Sequence, residues 1–213
     1  MGDIISTARA ALINAVIAAL PVAIVYFGGW AYLSSYLGEF SIDATQVEVA
    51  FSTVLVYAFI PLQHWAVIAL AFMIAALLLG LVSVEKSTLV SRLLATILAF
   101  FAVSILFVVH WAAKVEAREM AGHVWHGRKS HSVPVLDPVA KSEPSYRQFQ
   151  RCVDRSAVRQ IIGLPDRMFL LCRTELSPCV YGTMFLITDD GKIVYTADRV
   201  RNGVDDGLED CSH

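Results

Sequence analysis

Charge is scarce in the first half of this chain. Of its 213 residues, the first 109 hold eight charged side chains: Asp3, Arg9, Glu39, Asp43, Glu48, Glu85, Lys86 and Arg92. The surface of a soluble domain cannot be built from so few, since about a quarter of a typical domain's residues are charged. Cysteine is missing too until Cys152. No ionisable group lies deep inside the long apolar runs, which argues against the charged relays of pumps and transporters. The chain also lacks a G-x-S-x-G elbow, a phosphate loop, a dinucleotide fingerprint, a C-x-x-C pair and the ligand order of an EF-hand, so the chemistries those motifs support have no visible carrier.

What is present is a membrane part followed by a hydrophilic part. Overall 56% of residues are hydrophobic and 17% charged, and roughly 20 apolar residues suffice to cross a bilayer core. Three windows meet that length: Ala10 to Trp30, Leu93 to Trp111, and a charge-free stretch of 36 residues from Val49 to Val84. As one helix the last would measure roughly 54 Å, against a core of ~30 Å. The spanning part is therefore expected from Trp65 to about Leu81. VEVAFSTVLVYAFI, before Pro61, is expected as a helix that protrudes or lies along the interface, with Pro61 as the kink. Asp43 is the candidate N-cap of that helix, with Gln46 three residues on. Trp30, Trp65 and Trp111 then fall at one membrane face, as interfacial anchors do.

Lys and Arg collect in short cytoplasmic loops. The connection from Ala31 to His64 has none, whereas Lys86, Arg92 and Arg9 mark the second loop and the N-terminal tail. This places the N-terminus in the cytoplasm and the C-terminal region outside; Lys114, Arg118, Arg128 and Lys129 run against that assignment, but long domains translocate largely regardless of charge. No cleavable signal pattern is present, so the first run is expected to remain as an anchor. All four cysteines (Cys152, Cys172, Cys179, Cys211) lie in the hydrophilic part, as disulfides of an oxidising compartment would. Of the three pairings that four cysteines allow, Cys172 with Cys179 and Cys152 with Cys211 is preferred. The implied location is a bacterial inner membrane with a periplasmic C-terminal domain.

The expected fold is a membrane all-α bundle of three transmembrane helices, residues 1–120, a Pro/Ser-containing linker, 121–144, and a small α+β domain with an antiparallel sheet, 145–213. SYRQFQRCVDRSAVRQIIG steps its apolar residues Tyr146, Phe149, Val153, Ala157 and Ile161 by three or four, predicting one helix closed by Gly163. RMFLLCR, VYGTMFLIT and KIVYTAD read as strands, the last two joined by an Asp-Asp-Gly turn. Small residues (Ala11, Ala15, Ala18, Ala19, then Ala69, Ala76, Gly80) allow close helix approach, within the chain or in a homo-oligomer.

Two histidine pairs are candidates for ligands. The helix of the third span is expected to end near Met120, before Gly122; His123 and His126 are spaced by three, but Gly122 and Gly127 bracket them and spoil the helix, and a polar stretch near headgroups accounts for them without a metal. His64 and His110 each precede a Trp and could offer axial ligands to a haem, yet three spans are few to enclose a porphyrin. No cofactor is expected, and the domain's carboxylates stand singly or in turns. The domain's balanced charge and external placement exclude nucleic acid as a partner. Beyond the lipid bilayer, the expected partner is another membrane or periplasmic protein, bound by an accessory, immunity or envelope factor. The alternatives are an oligomeric pore or membrane-perturbing effector, and a metal- or haem-binding membrane enzyme.

Overall fold

Helix α1 (Gly2–Gly38) is the first of four long apolar helices; α2 (Phe51–Leu62), α3 (Trp65–Ser83) and α4 (Thr88–Trp125) follow. Then come α5 (Pro144–Asp154) and strands β1 (Val158–Gly163), β2 (Arg167–Arg173), β3 (Tyr181–Thr188) and β4 (Ile193–Val200). The computed structural model describes residues 2–83, 88–128 and 143–202. Contacts divide the chain into two compact units, one from the chain up to Ser35 with Val49–Glu116, the other from Tyr36–Glu48 with the chain from Ala117 onward.

Among the described residues two helical segments are long and apolar enough to cross a membrane, Ala18–Gly38 and Thr96–Trp125. The number rises to three if α2 and α3, bent by 84°, count as one broken span. The break follows Pro61 at Gln63 and His64. The Pro61 carbonyl accepts the His64 N–H at 3.2 Å, and His64 Nδ1 accepts the Ala66 N–H at 3.2 Å, which caps the start of α3. Trp30 and Trp111 fall inside α1 and α4, while Trp65 opens α3. Phe72, Leu79, Phe100 and Phe107 are about 70% exposed, the outward apolar surface that lipid contact requires.

Close packing in the first unit rests on residues other than the expected small ones. Gly80 has open space around it, and Ala18, Ala19, Ala69 and Ala76 are exposed; the side chains of Ala11 and Ala15 lie outside the described residues. Instead, a Cβ on Gly29 would collide with the carbonyl oxygen of Val54 in α2, and one on Gly28 would sit 3.3 Å from Val109 Cγ1 in α4. Tyr32 stacks on Tyr57 across the same junction at 5.7 Å between centroids. Val67, Val109 and Ala112 complete the core, with Phe27 and Leu62 against them.

The expected helix after Asp43 begins later. Asp43 caps a three-residue 3-10 turn, Ala44–Gln46, its carboxylate accepting the Thr45 N–H and hydroxyl at 2.9 and 2.7 Å. Val47 is extended, and α2 starts at Phe51.

In the second unit the predicted single helix over 145–163 is two elements. Helix α5 stops at Asp154 because Ser156 turns left-handed (φ 54). Ser156 N–H then bonds the Val153 carbonyl at 2.8 Å and Ala157 N–H the Cys152 carbonyl at 3.0 Å, the paired bonds of a Schellman ending. Val158-Arg-Gln-Ile-Ile then adds β1 to the sheet, as β-branched residues favour. The sheet is therefore four-stranded, antiparallel throughout, in the order β1-β2-β3-β4. Its hairpin turn between β3 and β4 forms as read, with Gly191 at φ 80.

Both faces of the central strands are covered within this unit, which gives β2 and β3 continuous buried runs (Phe169–Cys172, Gly182–Phe185) instead of alternation. On one face α5 buries Phe149 and Cys152 against Leu170, Cys172, Phe185 and Ile187. Phe149 and Phe185 meet edge to face at 5.2 Å. On the other lies the end of α4: Trp125 is fully buried, stacks on Phe40 at 6.0 Å, and lies so close to Gly182 that a Cβ there would sit 3.2 Å from the indole.

Gly29→Ala should destabilise the membrane unit by about 1–3 kcal/mol, the usual cost of overpacking against an unyielding neighbour. Gly38→Ala, which meets open space, should be neutral or slightly stabilising. Thermal unfolding in detergent of the two variants beside the native chain compares them directly.

Candidate functional site

The last turn of α4 anchors the sheet that carries the candidate site. Gly127 (φ 74) ends the helix: its N–H bonds the Val124 carbonyl at 3.0 Å, and Arg128 N–H bonds that of His123 at 2.9 Å. Gly122, read in sequence as a helix stop, lies inside α4. Two carbonyls beyond the ladder are taken by arginines of the sheet. Arg173 Nη1 donates to the Trp125 carbonyl at 3.3 Å, and Arg159 Nε donates to that of Gly127 at 3.0 Å. A helix C-terminus carries a partial negative charge that favours cations there. Burial lowers the pKa of both guanidinium groups, and Arg159 lowers that of Arg173 further; both remain protonated. A Cβ on Gly127 would strike the Arg173 guanidinium, so glycine serves both the backbone angle and the cap.

The segment Tyr36–Glu48 closes one edge of the sheet. Tyr36 hydroxyl donates to the Ile161 carbonyl of β1 at 2.8 Å. The same segment is tied to α4 by the Arg118–Glu39 pair at 3.3 Å and to the chain just past β4 by Asn202 Nδ2, which donates to the Gly38 carbonyl at 3.1 Å. Strand β1 is also short, six residues, and each edge strand carries a bulge, β1 between Gln160 and Ile162 and β4 at Val194.

The opposite edge is different. β4 is eight residues long, and Val194, Tyr195 and Val200 are each about half exposed. Arg201 N–H donates to the Val180 carbonyl at 2.8 Å, so odd-numbered positions turn their backbone groups toward β3. By antiparallel alternation, Thr196, Asp198 and Val200 turn theirs outward. Among the described residues, the outward contact is one of 3.5 Å from Arg199 Nη1 to the Asp198 carbonyl. A bulge leaves Val194 unpaired, since Leu186 pairs with Tyr195 and Ile187 with Ile193. The sequence pattern marks the strand, but its place at the end of the sheet depends on the strand order.

Beside this edge an open cleft of about 560 Å³ is lined by Gln148, Arg151, Arg155, Arg173, Glu175 and Thr183, with a disulfide along it. Gln148 donates to the Thr183 hydroxyl at 3.3 Å, and that hydroxyl donates to Asp198 at 2.9 Å. The Arg155–Glu175 ion pair is exposed and adds little to stability. The cleft offers three arginines, the carboxylates of Asp154 and Glu175, and the Gln148 amide.

The disulfide joins Cys152 to Cys172, Cα atoms 5.8 Å apart, which corrects both preferred pairings, Cys172–Cys179 and Cys152–Cys211. The two sulfurs meet because α5 lies on β2 and both residues face the same core cluster. Cys179 is disulfide-bonded as well, and Cys211 lies outside the described residues.

His123 and His126 occupy the end of α4, where His126 Nδ1–H donates to the Gly122 carbonyl at 2.7 Å. His64 caps α3 and meets the Trp111 ring edge-on at 5.1 Å; His110 is exposed. Among the described residues no three His, Cys, Asp or Glu side chains are grouped to hold a metal. No protein family, curated protein or solved structure matches this chain.

Two outcomes test the domain's construction. Replacing Cys152 and Cys172 by serine opens a loop spanning 20 residues and should cost about 3 kcal/mol by loop-closure entropy, read by denaturant unfolding. At the β3–β4 turn, hydrogen bonds from Lys192 and Thr188 lower the Asp190 pKa to about 2. A carboxylate depressed in the folded state contributes above its unfolded pKa and loses the contribution as pH falls through the folded one. The turn should therefore loosen between pH ~4 and ~2. The Gly191 and Lys192 amide NMR shifts should titrate in that window, and Asp190→Asn should abolish the titration.

Proposed function

We propose that this chain is a three-span inner-membrane protein of a bacterium, N-terminus in the cytoplasm, that presents its disulfide-bonded α+β domain in the periplasm to bind another protein. The observation that carries the binding role is the open β4 edge. An extended segment can add to such an edge through main-chain hydrogen bonds, with side chains on alternate faces setting specificity. Natural sheets blunt edges that serve no partner, and in this domain β1 is six residues long and met by Tyr36, whereas Val194, Tyr195 and Val200 of β4 are half exposed.

Three further facts support the location. Lys86 and Arg92 lie in the loop between the second and third apolar windows, while Ala31 to His64 holds no Lys or Arg, the bias that orients spans. Counting the bent pair α2–α3 as one broken span makes three. The Cys152–Cys172 bond suits an oxidising compartment.

A photo-crosslinking residue at Val194, with the full chain in its native membrane, should form a discrete protein adduct. The same residue at Asp166, in the turn before β2, should not. A Val200→Asp change should lower the adduct yield about tenfold, by placing a charge in the buried part of the contact. Equal labelling at both positions, or none at either, would remove the binding role. An alkaline phosphatase fused at His213 should be active, and inactivity there would reverse the orientation.

A further inference from the structure

We propose that the occupant of the β4 edge is a second copy of this chain, paired antiparallel to it about a twofold axis through Ala197; this rests on the edge being a binding surface, as proposed above. The argument is the order of side chains along the strand. Tyr195-Thr-Ala-Asp-Arg199 is chemically self-complementary when reversed on itself. With Ala197 facing the partner's Ala197, Thr196 faces the partner's Asp198 and Tyr195 faces the partner's Arg199. The regular alternation that sets these pairs runs from Tyr195 to Val200, since the bulge interrupts it at Val194. Both pairs are of a kind that stabilises neighbouring strands: hydroxyl to carboxylate, cation to aromatic ring.

The backbone agrees with this register. A twofold axis normal to the sheet sets even-numbered positions opposite even-numbered ones. The groups that turn outward are those of Thr196, Asp198 and Val200, so Thr196 and the partner's Asp198 form a hydrogen-bonded pair and the two Ala197 residues a non-bonded one. Small residues at the axis allow the close approach such a pair makes. Shifting the register is unfavourable in either direction. Centred on Asp198, it opposes two carboxylates; centred on Thr196, it parts Asp198 from the partner's Thr196 and Arg199 from the partner's Tyr195.

The side chains concerned are positioned already. Arg199 Nη2 lies 3.5 Å from its own Tyr195 hydroxyl, and Arg199 Nε has no partner among the described residues. Val194, Tyr195 and Val200 are half exposed. Copies confined to one bilayer also meet at high effective concentration, which lets a contact of modest area persist.

Ala197→Cys in the full-length protein, oxidised in native membranes, places two sulfurs at the axis, where Cβ atoms lie about 4.5–5.5 Å apart. A dimer reducible by thiol is expected from Ala197→Cys and not from Lys192→Cys. Thr196→Pro deletes an outward N–H and leaves the bonds to β3 intact, as edge proline does. In the Ala197→Cys background it should lower the dimer about tenfold or more without shifting thermal unfolding of the domain. A monomer from Ala197→Cys, or a dimer insensitive to Thr196→Pro, overturns the assignment. If Ala197→Cys stays monomeric while the photo-crosslinker at Val194 captures a different polypeptide, the second copy is wrong and the binding role stands. If neither forms an adduct, both fall.

Discussion

The end of α4 is the constraint on which the C-terminal unit depends. A helix that stops inside a folded unit leaves carbonyl groups that must find donors. Gly127 supplies the left-handed turn, and Arg159 and Arg173 supply the donors from neighbouring strands. Burying two guanidinium groups side by side opposes itself electrostatically, and the oxygens at the helix terminus offset that repulsion. The same contact fixes which face of the sheet Trp125 covers.

From that placement the asymmetry of the sheet follows. With Trp125 and Phe40 on one face and α5 on the other, β2 and β3 lose their contact with solvent. β1 meets Tyr36 at its free edge, and β4 is left with half-exposed valines and a tyrosine. The exposure of β4 arises from what the layers do not reach. Helix α5, held to β2 by the Cys152–Cys172 bond, keeps the Thr183–Asp198 contact within reach of Gln148 and so lends rigidity to the open strand from behind.

The legible parts of this protein were those governed by local rules. The long apolar runs appear as α1 to α4, the Asp-Asp-Gly turn forms with Gly191 at positive φ, and the three strands lie where their β-rich segments placed them. The misread parts depended on distant partners. Ala157 and Ile161 continued the helical spacing of α5, yet Ser156 turned the chain and Val158-Arg-Gln-Ile-Ile paired with β2. Gly122 looked like a stop because glycine is a poor helix former, but it lies buried on α4. The density of β-branched residues after Ser156 was the available signal for β1. For Arg159 and Arg173 as caps there was none, since a helix terminus in another part of the chain chose them.

Sequence by itself determined the apolar character of the first 120 residues, the confinement of cysteine to the remainder and the turn chemistry of the last hairpin. Each is a property of single residues or near neighbours: transfer to lipid, thiol placement, tolerance of positive φ. Tertiary structure alone decided which cysteines join, where α5 gives way to β1, which glycines bring helices together and which strand ends the sheet. Those outcomes turn on contacts between residues far apart in the chain, and no local preference is strong enough to set them.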